Sequence, residues 1–374
     1  MNILISMDSF KDSISSNDLG IALKKIIQSI NPVHTIKVIP IADGGEGTIE
    51  ALEKLENATK VTLEVTNPRF NKVLAAYLIV NDTAIIEMAA SSGLTTLNKD
   101  QRNPLYTTTY GLGELVKDAL DKDIKNFIIG LGGSATNDAG IGFLNALGYT
   151  FLDKDNTPLK PIGINLEKIA RIDASKAIKV SHEVTFNLAC DVSNPFSGLN
   201  GAAYIYAKQK GASDEDVLLL EKGMNHYAKF IKKNYQIDLN TIPSTGAAGG
   251  LAAAFMPFFN TTIQLGSKLI IDLLNIESNI QSSDLVITGE GKLDHQTFMN
   301  KAPLGLIDLA IKHQKKCLVI AGKIIEAHHL LDNPNIILAP LYDQDCIIKP
   351  EFLEKEHTIN QIKKTIKKID YLFK

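Results

Sequence analysis

The sequence has no tryptophan and only three cysteines. Cys190, Cys317 and Cys346 are odd in number and far apart. That excludes a disulfide framework and fits a reducing compartment. Neither sign of charge dominates: 39 Lys and Arg against 42 Asp and Glu leave a net charge of −3. Such a balance gives no basis for nucleic acid or an anionic membrane as a partner. The longest uncharged apolar run, around Gly246 to Phe259, is too short and too glycine-rich to span a bilayer. The opening residues MNILISMDSF have no basic n-region and no long apolar segment, so they do not read as a signal peptide. Several chemical signatures are lacking too: G-x-x-x-x-G-K-[ST], G-x-G-x-x-G after a strand, H-E-x-x-H, C-x-x-C and G-x-S-x-G. Their absence weighs against a standard P-loop, a dinucleotide fold, zinc and a nucleophile elbow. What remains is an enzyme-sized chain expected in the cytoplasm. Its 374 residues, 45% hydrophobic and 22% charged, suffice for two domains.

Hydrophobic patterning divides the chain. Asn2 to Ser6 reads as a buried parallel strand ending at Met7-Asp8-Ser9-Phe10-Lys11, and a helix starts near Ser16 or Asn17. Ile36 to Ile39 is a second strand, ending in Ala42-Asp43-Gly44-Gly45-Glu46-Gly47-Thr48, before a helix running through Leu55. Polar residues thus stand at the carboxyl ends of the strands, where doubly wound sheets bind ligands. The period then changes. Val61 to Val65, Val73 to Val80 and Ala84 to Met88 predict three antiparallel strands without helices between them. Strands are expected again at Phe127–Ile129, Phe186–Cys190, Asp284–Ile287, Cys317–Ile320 and Ile336–Leu338. Helices are expected from about 107 to 120, from Asp214 to about Lys233, from Gly246 and over 267–281. The expected fold class is α/β with two domains. A flavodoxin-like parallel-sheet domain (1–66 and 280–374) receives an inserted mixed α/β domain (67–279).

Six loops repeat one chemistry: glycine, a carboxylate, and a hydroxyl or amide, mostly after an apolar strand. They are Asp8–Lys11, Asp43–Thr48, Gly130–Gly142, Asp191–Asn194, Gly246–Gly250 and Gly289–Asp294. Glycine-rich backbone exposes N–H groups that suit phosphate oxygens. Carboxylates without His or Cys partners suit Mg²⁺. Lysines at loop edges suit the charge of a transferred phosphoryl group. Together these point to a phosphotransferase. His295 and the adjacent pair His328-His329 read as bystanders.

The chain resembles the bacterial glycerate kinase family of glucarate, galactarate and glyoxylate degradation, in collinear order over nearly its whole length. The resemblance is carried by Asp8–Lys11, Ala42–Thr48, Glu87–Leu94, Thr107–Glu114, Gly132–Asp138, Gln209–Ala212, Gly246–Leu251 and Gly289–Asp294 with Gln296-Thr297. It implies ATP and Mg²⁺, D-glycerate as the small-molecule acceptor, phosphoglycerate as product, and an active site in the cleft between two α/β domains. On that basis Asp43 or Asp191 is expected to position or deprotonate the acceptor hydroxyl. Lys11 and Lys301 are expected at the phosphates. Asp8, Glu46 and Asp294 are expected at Mg²⁺. Gly132, Gly133, Ser134 and Thr136 are expected to hold the cofactor's phosphates or the acceptor carboxylate, and Asn137, Gly289, Glu290 and Gly291 to hold the cofactor. The pathway likeness favours 2-phosphoglycerate over 3-phosphoglycerate. A homo-oligomer is compatible with the sequence and is not specified by it. The chain departs from the family pattern in four places. Asp12 and Ser244 stand where the family usually has Gly, Lys208 where it has Pro, and Asn300 precedes Lys301 in place of Gly. Two rival readings differ in class. Gly130-Leu-Gly-Gly-Ser134 superficially resembles the Gly-Leu-Gly-Ser-Ser loop of other small-molecule kinases, which would allow another hydroxy acid or sugar acid as acceptor. A non-catalytic sugar-acid sensor would have lost the charged loop residues, and here they are all present.

Overall fold

The structure, a computed structural model of the chain, describes residues 1–45, 47–294, 302–325, 330 and 332–374. In chain order the main strands are β1 (Asn2–Ile5), β2 (Thr35–Val38), β3 (Ala58–Thr66), β4 (Lys72–Val80), β5 (Thr83–Glu87) and β6 (Asn126–Gly130). They continue with β7 (Thr185–Ala189), β8 (Asn260–Gln264), β9 (Leu285–Thr288), β10 (Lys316–Ala321) and β11 (Ile336–Pro340). The chain divides into two compact units. One comprises Met1–Asp43, Glu50–Leu55 and Leu265–Lys374; the other comprises Gly44–Ile49 and Glu56–Gln264. The strand Ala58–Thr66 belongs wholly to the second unit, because it pairs with β4 from Ala58↔Val80 to Thr66↔Lys72.

The first unit holds a five-stranded sheet in the order β11-β10-β9-β1-β2, parallel throughout. Numbered within the unit, that is the flavodoxin-like order 2-1-3-4-5. Strands covered on both faces must be apolar on both. Ile3, Ile5, Leu285, Ile287, Leu318 and Ile320 pack on one face with Leu19, Leu23, Ile362 and Ile366. Leu4, Val286, Cys317 and Val319 pack on the other with Ile276, Ile280, Leu306 and Ile307. The helices responsible are Ser16–Ile30 and Lys355–Lys368 on the first face, and Ile276–Gln281 and Ala302–Lys312 on the second. Ser15 caps the helix Ser16–Ile30 by accepting from Asp18 N at 3.3 Å. The single helix expected over 267–281 is two, Gly266–Leu273 and Ile276–Gln281, because Asn275 adopts a left-handed conformation (φ +50°).

The second unit holds a mixed six-stranded sheet in the order β8-β7-β6-β5-β4-β3. β3, β4 and β5 form the expected antiparallel meander, and β5 to β8 run parallel. Its core stacks Phe127 on Phe186 (ring centroids 4.8 Å apart) and Phe143 on Phe255 (4.2 Å). The helix Asp214–Tyr235 starts at a capping box in which Ser213 and Asp216 satisfy each other's backbone N–H. The apolar helix expected from Gly246 is instead one turn, Ala247–Gly250, followed by a 3₁₀ turn, Leu251–Ala254. Ala248 and Gly249 sit at φ +52° and +69°, which no right-handed helix accepts. No described helix is long and apolar enough to cross a membrane.

Candidate functional site

Most of the motif stretches gather in two places, one on each unit. On the second unit the gathering point is the chain after β6. Leu94 N donates to Gly133 O and Ala135 N to Ser92 O, both at 2.9 Å. Thr107 Oγ1 donates to Ala135 O at 3.0 Å, and Ala139 N to Gly249 O at 3.0 Å. Lys210 Nζ donates to Ser134 Oγ and to Thr136 O, both at 2.7 Å. The stretches 87–94, 107–114, 209–212 and 246–251 therefore meet around 132–138.

Two buried charges sit at the centre of this arrangement. Asp138 is fully buried, and its carboxylate accepts from Thr109 N and Oγ1 at 2.8 Å, Gly140 N at 3.1 Å and Gly142 N at 3.2 Å. Burial pushes its carboxyl above the usual range, against the pull of those donors. Lys210 is 2% exposed. Burial pushes its ammonium down to about 7, with the Asp138 carboxylate acting the other way. The backbone around them is strained. Ala139 and Ala248 hold φ of +50° and +52°, a conformation that costs a residue with a Cβ about 1–2 kcal/mol and that clusters at functional sites. Glycine is required at position 249, where an added Cβ would stand 2.1 Å from Thr136 O.

The structure divides the expected anion loop into two parts. Gly132 and Gly133 are exposed, whereas Ser134, Thr136 and Asn137 are buried. Thr136 Oγ1 and both amide atoms of Asn137 have no hydrogen-bond partner among the described residues. Asp191 is exposed just beyond β7. Its neighbour Cys190 is buried, and burial raises its thiol.

Lys210 gives this unit a pH signature. Its folded value of about 7 lies well below that of a solvated lysine, so between the two the unfolded chain binds more protons. Stability is therefore expected to rise with pH across that window, with a slope of up to about 1.4 kcal/mol per pH unit. Urea unfolding at pH 7.5 and 9.5 checks this, and the Lys210→Met variant is expected to lack the rise.

On the first unit the gathering point is the carboxyl end of the parallel sheet. Strand order reverses direction between β1 and β9, and a crevice opens at such a switch point. The loops after those two strands are joined there: Asp8 N donates to Gly289 O at 2.9 Å. The next loop is stitched on by Gly322 N to Glu290 O at 3.3 Å and Lys323 N to Gly291 O at 3.2 Å. Gly289 has φ +153°, and an added Cβ would lie 1.7 Å from Ile320 O. Gly291 lies against the backbone of Phe10 and Lys11. Lys292 pairs with Asp294 at 2.6 Å, and Asp8 Oδ1 accepts from Ser9 N at 2.7 Å. The structure thus brings Asp8 and Lys11 against the loop of Gly289, Glu290 and Gly291, while Asp294, further along that loop, is paired with Lys292. Asp43 is half-buried at the end of the stretch that follows β2. Glu46 and Lys301 lie outside the described residues, as do His295, Gln296, Thr297, Asn300 and the pair at 328–329. Among the described residues no group of three or more His, Cys, Asp or Glu gathers as a metal cluster. Mg²⁺ at a nucleotide needs none, because one or two carboxylates suffice beside phosphate oxygens and water.

Sequence reasoning gave no role to Lys210, Asp138 or Thr109. All three stand inside stretches quoted for the resemblance, but a lone lysine or aspartate in a sequence reads first as solvated. Two departures from the family pattern find a physical explanation. Asp12 and Ser244, both at positions the family usually gives to Gly, have φ of +62° and +70°. Thr245 fills its buried place by directing Oγ1 at Leu239 O (2.7 Å) and Ile242 O (2.9 Å). Ser244→Gly is therefore expected to raise stability by roughly 0.5–1 kcal/mol. A shift in the denaturation midpoint checks it.

Comparison with known proteins places the chain in a family. The model of the glycerate kinase family matches residues 3–370. The chain is 40% identical to the glycerate 2-kinase of Escherichia coli (strain K12) over 87% of its own length and 86% of that protein's. It is 36% identical to the glycerate kinase of Haemophilus influenzae over 93% and 94%. A crystal structure from Salmonella typhimurium LT2, described as glycerate kinase 2, superposes with a TM-score of 0.86 at 35% identity, covering 99% of each chain. On the family match over 3–370 and on these identities, the chain belongs to the glycerate kinase family of enzymes.

Proposed function

We propose that the chain transfers the γ-phosphoryl group of ATP, with Mg²⁺, to D-glycerate, forming 2-phosphoglycerate. The observation that carries this reading is the switch point of the first unit, where the Asp8–Lys11 loop is bonded to the Gly289–Gly291 loop. The closely packed backbone there, with no space for a side chain at Gly289, suits the phosphates of a nucleotide. Asp8 and Asp294 offer oxygen ligands of the kind Mg²⁺ takes, and Glu46 is a third candidate. The metal, when bound, neutralises charge on the phosphates. Lys11, and Lys301 with it, would balance phosphate charge. Gly132, Gly133 and Ser134 of the second unit would receive the acceptor's carboxylate, with Thr136 and Asn137 forming the buried arm of that loop. Asp43 or Asp191 would hold the acceptor hydroxyl and accept its proton. No covalent intermediate is needed, because phosphoryl transfer rests on positioning and charge stabilisation. The reading includes a cytoplasmic location.

The test is an assay with ATP, Mg²⁺ and D-glycerate, coupled to enolase with and without phosphoglycerate mutase. Signal without the mutase is the expected result. Signal only with it would move the product to 3-phosphoglycerate. Folded protein that releases no ADP in response to D-glycerate would overturn the substrate and send the search to other hydroxy acids.

A further inference from the structure

A buried ammonium is a costly way to tie down a loop, since neutral donors can do it without desolvating a charge. The 3₁₀ turn Lys208–Lys210 nevertheless ends with Lys210 turned inward. Gly211 (φ +94°) packs there against Arg102 O, and Ala212 N donates to Ala207 O at 3.1 Å. The Lys210 Nζ contacts are at Ser134 and Thr136, in the residues that follow the exposed pair Gly132–Gly133 in the chain. The direction of the Ser134 bond matters. Protonated Lys210 has no acceptor, so in that state Ser134 Oγ accepts and the hydroxyl keeps its own hydrogen for another partner. Among the described residues no hydrogen bond uses that hydrogen, although Ser134 is only 7% exposed. Thr136 Oγ1 and the Asn137 amide are likewise buried and unpartnered in the same loop. A hydroxyl donor beside two exposed glycines, held by Lys210, suits a small oxyanion.

We propose that Lys210 is a positioning residue that aims the Ser134 hydroxyl and fixes the Gly132–Ser134 loop to bind the carboxylate of the acceptor acid. Lys210 acts through Ser134 and Thr136 and does not itself touch the ligand. The inference rests on the proposed function, so wild-type turnover of D-glycerate is measured first; its absence would count against that reading.

With active wild type in hand, KM for D-glycerate and for ATP is measured in Lys210→Met and Ser134→Ala. Binding of D-glycerate alone is measured by calorimetry. A hydrogen bond to a charged group is worth about 1.5–3 kcal/mol. Ser134→Ala is therefore expected to weaken D-glycerate about tenfold or more in both KM and Kd, with KM for ATP within about twofold. Lys210→Met is expected to weaken it further in the same pattern. Unchanged D-glycerate KM and Kd in folded variants would overturn the proposal. So would a rise in KM for ATP instead, which would assign the loop to phosphate. Should Lys210→Met not fold, Ser134→Ala decides, because it leaves the ammonium and its bond to Thr136 O in place.

Discussion

Asp138→Ala is expected to destabilise the protein by about 4 kcal/mol or more. The carboxylate takes four donors, from Thr109, Gly140 and Gly142, and all of it is buried. Its removal leaves those N–H and O–H groups without a partner and without water. Each buried orphan costs about 1–3 kcal/mol, and the remaining charge of Lys210 loses the neighbour that partly compensates its burial. Asp138→Asn is expected to cost less, about 2 kcal/mol, because one oxygen still accepts while the amide nitrogen faces a donor. Chemical denaturation of the two variants checks both magnitude and order. Equal midpoints for Asp138→Ala and the wild type would show that the loop does not depend on this carboxylate. The same substitution is expected to lower kcat/KM by at least about a hundredfold, through displacement of the loop that Lys210 and Asp138 hold together.

The second large effect is expected at Gly289. An alanine there must adopt φ near +153° and would place its Cβ 1.7 Å from Ile320 O, a backbone atom of β10. The backbone has to move, since neither strand offers a flexible side chain that could yield. A cost of at least about 3 kcal/mol is expected from the forbidden conformation and the overlap together. Nucleotide affinity is expected to fall with it, because Gly289 O receives Asp8 N across the switch point. Gly291→Ala is the control. The nearest heavy atom to its added Cβ is Phe10 Cα at 3.6 Å, an ordinary contact, so stability is expected to stay within about 0.5 kcal/mol. If both variants behave alike, the crowding at Gly289 is not what shapes this loop.

The sheets were legible because their burial patterns are extreme. β1, β9 and β10 are apolar on both faces, and only a covered parallel sheet has that need. The change to alternating strands without intervening helices marked β3, β4 and β5 as antiparallel. The loops were recognisable as a class by glycine beside carboxylate and hydroxyl after a strand, a pattern that suits an anion and also suits a helix cap. Individual roles within them were not. Ala139 and Ala248 carry left-handed backbone, and alanine gives no sign of it; tertiary contacts impose that conformation. The same contacts turned the expected helix after Gly246 into a kinked turn. Lys210 was obscured for a different reason. Whether a lysine is solvated or buried depends on what folds over it, here Ser134 and Thr136, which are distant in sequence. Asp12 and Ser244 show the reverse case, in which a departure noticed in the sequence acquires its meaning only from the backbone φ that the fold imposes.

On the proposed function, nucleotide binds at the switch point of the first unit and the acceptor's carboxylate on the loop after β6. Hydrogen–deuterium exchange with Mg-ADP alone and with D-glycerate alone tests it most directly. Mg-ADP is expected to slow exchange in peptides covering 7–14 and 286–294, and D-glycerate in peptides covering 130–142. Protection of 130–142 by Mg-ADP with none at 7–14 or 286–294, or protection by D-glycerate confined to the first unit, would contradict the assignment.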